Sequence, residues 1–111
     1  MSMASEELAD RIRALLSPGE NIREQKMFGA NAFMSNGNML VAPMKDGSLL
    51  VRVGKDGMDD ALAREGAGVM EMGSRTMGGF VVVSGDALED DFVLGEWLDR
   101  ARAFVKTLPP K

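Results

Sequence analysis

Lys26, Arg52 and Arg75 are the side chains best placed by their neighbours to hold a ligand. Arg52 interrupts an apolar run, Leu49-Leu50-Val51-Arg52-Val53, and Arg75 lies in the glycine-flanked stretch Gly73-Ser74-Arg75-Thr76-Met77-Gly78-Gly79. A guanidinium is a planar fork of N–H donors that matches a carboxylate or a phosphate. Brought together, these three cations would hold an anionic ligand or an acidic segment of a partner. Met27, Phe28, Gly29 and Met77 stand beside them in the sequence and complete the candidate set. The competing expectation is that Arg52 and Arg75 pair with Glu71, Asp46 or loop carbonyls, as structural ion pairs commonly do.

Little other chemistry is available. The chain has no histidine, cysteine or tyrosine, so it lacks the usual general base, the thiol nucleophile and the commonest metal ligands. Ser74, Thr76 and Ser84 are hydroxyls with no histidine to activate them, and no Ser–Lys signature is present. Gly73–Gly79 lacks the Gly-Lys-Ser/Thr ending of a phosphate loop and reads as a connection between strands. Asp86, Glu89, Asp90 and Asp91 cluster at the start of a helix, where the dipole stabilises carboxylates, and they lack the ligand series of a calcium loop. The expectation is a non-enzymatic chain with no catalytic residue, metal or cofactor.

Composition sets the frame. A chain of 111 residues with 45% apolar content is one domain, spanning 1–111, and folding can bury about 65% of its unfolded surface. Five Phe and one Trp are joined by ten Met, whose unbranched side chains fill irregular core gaps and can also line adaptable binding surfaces. Net charge is −4, with the acidic excess in residues 56–111. That distribution argues against direct nucleic-acid binding, which needs clustered Lys and Arg. No leader-like segment or membrane-length apolar run is seen, so the expected location is the cytoplasm, without a membrane.

The elements that must position these residues follow from periodicity. Leu8, Ile12, Leu15 and Leu16 form one helical face, with Ser5 as the expected cap and Ser17-Pro18-Gly19 as the stop. Three apolar runs follow, Met27–Met34, Met39–Met44 and Ser48–Val53, separated by Asn36-Gly37 and Asp46-Gly47. Both dipeptides are hairpin signals. Met58, Ala61 and Leu62 predict a short helix ending near Gly66; Val69–Met72 and Phe80–Val83 predict two more strands. Asp90 or Asp91 caps a last helix carrying Leu94, Trp97, Leu98, Ala101, Phe104, Val105 and Leu108, stopped by Pro109-Pro110. The order α-β-β-β-α-β-β-α is that of a two-layer α+β domain, an antiparallel sheet with helices on one face. Leu50, Val81 and Val83 are expected on the other face, which is then solvated or closed by a second copy of the chain; helices on both faces are the alternative.

These residues carry a resemblance. Lys26-Met27-Phe28-Gly29, Asn36-Gly37-Asn38-Met39, Asp46-Gly47 with Leu50-Val51-Arg52-Val53-Gly54, Arg75-Thr76-Met77-Gly78-Gly79-Phe80 and the ending Trp97-Leu98…Ala101…Phe104…Leu108-Pro109-Pro110 are in order and spacing similar to the N-terminal domain of TfoX/Sxy competence regulators. The chain departs from the usual pattern at Ala30, Met72 and Thr76. The resemblance implies a secretion-chaperone-like α+β fold and a connection with regulation of DNA-uptake genes. Longer members carry a helical C-terminal domain, which is expected to be missing here. The expected function is a regulatory protein-interaction module with an unidentified protein partner. The alternative is a small anionic-ligand domain or minor enzyme with a pocket lined by Met27, Phe28, Met39 and Met77 near Lys26, Arg52 and Arg75.

Overall fold

Apolar stripes at helical spacing meet central strands buried along nearly their whole length, and together they form an α+β domain. A computed structural model describes residues 3–16, 22–27, 30–35, 37–44, 47–72 and 75–109. The elements are helix α1 (Met3–Leu15), strands β1 (Ile22–Met27), β2 (Ala30–Ser35), β3 (Asn38–Pro43) and β4 (Leu49–Arg52), helix α2 (Met58–Leu62), strands β5 (Ala67–Met72) and β6 (Arg75–Val83), a 3-10 turn (Gly85–Leu88) and helix α3 (Asp91–Val105). All strands belong to one antiparallel sheet in the order β1-β2-β3-β4-β6-β5.

The sequence of helix, strands, helix, strands, helix is the expected one. The first block of strands holds four rather than three, because the run Met27–Met34 spans the end of β1 and most of β2. β1 itself is Ile-Arg-Glu-Gln-Lys-Met, an edge strand of polar residues with no alternation of apolar ones to announce it. α1 begins at Met3, so Ser5 lies within its first turn rather than at the cap; Ser17-Pro18-Gly19 lies outside the described residues. Asp90 caps α3, its carboxylate accepting from the Phe92 N–H at 2.9 Å.

The main core lies between the sheet and the helices. Leu8, Ile12 and Ala61 from α1 and α2, and Leu94, Trp97, Leu98, Ala101 and Val105 from α3, pack on Val41, Leu49, Val51, Val81 and Val83. Each of these leucines, fully buried, is worth roughly 1.5–3 kcal/mol of transfer free energy. Val81 and Val83 therefore face the helices, contrary to the expectation from sequence. Register explains it: Val51 pairs with Val81 and Leu49 with Val83, and cross-strand partners share a face. Leu50 does occupy the second face, but it is only 1% exposed, in a smaller cluster with Ala32, Met39 and Ala42. Met34, Met44, Phe80 and Val82 pack against that cluster, which among the described residues draws on no helix residue.

Two turns are fixed by glycine conformation. Gly37 and Gly47 have φ of 84° and 88°, the left-handed values that the Asn-Gly and Asp-Gly signals anticipate. Just past the first turn, buried Asn38 donates from Nδ2 to the Pro109 carbonyl at 3.1 Å. This bond ties the start of β3 to the segment after α3, and Leu108 packs half-buried beside the core.

Candidate functional site: an arginine held by two rings

β4 points Leu49 and Val51 toward the helices and Leu50 to the other face, and it delivers Arg52 at the strand's end, half-buried. There the chain turns. The Val53 and Gly54 N–H groups both donate to the Gly79 carbonyl, at 2.8 and 3.0 Å. Gly54 and Gly79 have φ of +79° and +88°, which only glycine adopts cheaply. A Cβ on Gly54 would lie 2.4 Å from the ring of Phe104, so the absence of a side chain lets α3 seat its aromatic directly on the turn.

That seat decides the surroundings of Arg52. Its Cζ is 5.6 Å from the centroid of Phe104 and 5.6 Å from that of Phe80. Phe80 is the cross-strand partner of Arg52 on β6. A guanidinium near two ring faces gains about 0.5–1 kcal/mol from each when exposed and more when desolvated. The rings hold the side chain without using its N–H groups. Among the described residues no carboxylate or carbonyl accepts from Arg52, and none of their fully buried side-chain nitrogens lacks a partner. The donors of Arg52 therefore reach solvent, pre-oriented and without an anion.

Other arginines are engaged differently. Arg11 grips the start of α3 through Asp91 at 2.8 Å and the Leu88 carbonyl at 2.5 Å. Arg13 of α1 makes a two-bond pair with Glu24 of β1, its Nε lying 2.6 Å from Oε2. This holds the Glu24 carboxyl below the usual carboxylate range and raises the arginine. Arg100 lies over Trp97 at 5.5 Å and pairs with Asp60 at 2.7 Å, which lowers that carboxyl. Arg102 bonds Asp99 at 2.8 Å and the Leu15 carbonyl at 3.3 Å. These arginines join elements to each other through anionic or carbonyl partners; Arg52 has aromatic ones.

The remaining predicted site residues are spread through the sheet. Phe28 and Gly29 lie outside the described residues. Lys26 and Met27 belong to β1, with β2 and β3 between that strand and β4. Arg75 and Met77 belong to β6, so most of the glycine-rich connection is strand rather than loop, and Arg75 pairs with Met72. Met39 is buried in the second-face cluster. Recesses formed by described residues lie elsewhere. One of about 160 Å³ is lined by Arg64, Glu65, Trp97 and Arg100, and one of about 430 Å³ by Leu40, Arg102, Lys106 and Leu108. The residues missed in sequence are Phe80 and Phe104 as ring partners of Arg52. Phe104 carried the signal of a core-facing helix residue, and nothing in linear spacing links it to β4.

The turn and clamp join three of the sequence motifs singled out above: Leu50–Gly54, Arg75–Phe80 and the ending that contains Phe104. A family model, the TfoX N-terminal domain, matches residues 14–105. The chain belongs to the TfoX N-terminal domain family. The match covers the sheet, α2, α3 and the last residues of α1, so Arg52, Phe80 and Phe104 all fall inside the TfoX N-terminal domain. No match emerges among curated proteins. No helix among the described residues is long and apolar enough to cross a membrane.

Proposed function

We propose that this TfoX N-terminal domain is a non-enzymatic, cytoplasmic, regulatory interaction module that binds an acidic segment of a protein partner through Arg52. The observation that carries the reading is the guanidinium held by Phe80 and Phe104 with its donors unspent. Two rings restrict the side chain before binding, so less rotamer entropy is lost when an anion arrives. A carboxylate on a partner can then take two parallel N–H bonds. The lack of histidine and cysteine supports a binding role over a catalytic one. The family's link with competence regulation makes a transcription-related partner the first to seek.

The test is recovery of partners from the protein's own cells with wild type, Arg52→Ala and Arg52→Lys, each verified as folded by circular dichroism. Both variants are expected to lose the partner, since lysine keeps the charge but not the planar fork. Losing one member of a desolvated charged pair costs roughly 2–5 kcal/mol of binding. Full retention of every partner by folded Arg52→Ala would sink the reading. An Arg75→Ala variant reports separately on the first strand position of β6.

A further inference from the structure

The two edges of the sheet are finished differently. β1 presents exposed Arg23, Glu24 and Gln25, and Glu24 is tied to α1 by Arg13. Charged edges of this kind discourage strand addition. The opposite edge is β5, which opens Ala67-Gly68-Val69. Val69 is 43% exposed, one of two large apolar residues so exposed among the described residues.

Among the described residues no strand pairs with the outer side of this edge. Ser84 N–H donates to the Gly66 carbonyl at 2.9 Å, which makes Gly68 and Val82 a bonded pair in the continuing register. By the alternation of an antiparallel ladder, Val69 then directs both its N–H and its C=O away from β6. Gly68 supplies the second observation. It has no left-handed φ, and a Cβ built on it meets no atom within 4 Å. Neither conformation nor packing requires glycine here, and glycine weakens a strand. What it leaves is space, in a groove of about 540 Å³ lined by Ser48, Ala67, Gly68, Val82, Ser84 and Asp86.

We infer that β5 is a docking edge for an extended segment of another protein with the pattern apolar-x-basic. The added strand bonds Val69, its apolar side chain fills the space over Gly68 against Val82, and its Lys or Arg, two residues along on the same face, meets Asp86. A second copy of this chain fits poorly. β5 contains no Lys or Arg, and two-fold pairing centred on Val69 sets Glu71 of one copy opposite Ala67 of the other, where Asp86 already lines the groove. The site is independent of Arg52.

Backbone amide NMR tests the inference, with the blocked hexapeptide Val-Thr-Lys-Val-Thr-Lys as probe and Val-Thr-Glu-Val-Thr-Glu as control. The basic peptide is expected to shift the Val69 amide saturably and slow its exchange with solvent, while the acidic peptide does neither. Gly68→Val, whose Cβ has room, is expected to keep the fold and weaken the basic peptide by about tenfold, the worth of one buried apolar side chain. Asp86→Asn should weaken it as well, and Arg52→Ala should not. Absence of saturable shifts, equal binding of both peptides, indifference to Gly68→Val in a folded protein, or a concentration-dependent dimer protecting Val69 would each overturn it.

Discussion

At the scale of single residues, Gly54 sets the terms for Arg52. Its φ of +79° and the 2.4 Å that a Cβ would leave to Phe104 are two separate demands on one position. Gly54→Ala is expected to cost about 1–3 kcal/mol from the backbone alone, with more added as the Phe104 ring is pushed off the turn. Gly95 is the internal control. It lies within α3, and its added Cβ meets nothing within 4 Å. Gly95→Ala should therefore stabilise by roughly 0.5–1 kcal/mol. Urea denaturation of the two variants checks both signs, and equal effects would refute the argument. The sequence marks Arg52 as unusual because a charge interrupts an apolar run. It does not show that rings flank it, since Phe80 is next to Arg52 only through strand pairing and Phe104 only through helix docking.

At the scale of elements, legibility followed the strength of the local signal. Asn36-Gly37 and Asp46-Gly47 announce their turns because glycine alone takes those backbone angles cheaply. α3 is announced by its stripe and its Asp90 cap. β1 is hidden because four consecutive polar residues, Arg23 to Lys26, fill its centre, as suits an edge. The first half of β6 is hidden because Gly78-Gly79 imitates a loop; the β5–β6 register shifts in this region, between Val69 and Glu71. β1 is nevertheless anchored, through Glu24 to Arg13 of α1. The hydrogen bond from Arg13, opposed in part by desolvation, depresses the Glu24 carboxyl. A carboxyl depressed in the fold adds stability above its unfolded pKa, and that stability is lost as pH falls through the folded value. Wild type is therefore expected to lose stability below about pH 5 more steeply than Glu24→Gln. The difference should reach at most about 1 kcal/mol, because the pair is solvent-exposed. Urea midpoints across the acid range measure it, and parallel curves would remove the anchor.

At the scale of the whole molecule, one sheet carries apolar clusters on both faces, and among the described residues helices serve only one of them. This arrangement was legible as a fold class from helical stripes flanking short strands. The sides taken by Val81 and Val83 were not, because a strand's facing depends on register, and register depends on a partner distant in sequence. That strand order has a temporal consequence. β1 to β4 pair with their sequence neighbours, so closing each contact spans a short loop. β6 reaches β4 only across α2 and β5, as Leu49 pairing with Val83 illustrates, and longer loops cost more entropy to close. The meander should thus be assembled first, in the transition state, and the β5–β6 hairpin should join afterwards. Val41→Ala is expected to slow refolding, whereas Val83→Ala should chiefly hasten unfolding. Stopped-flow chevrons for these two buried valines decide it; matching φ-values would mean that both halves condense together.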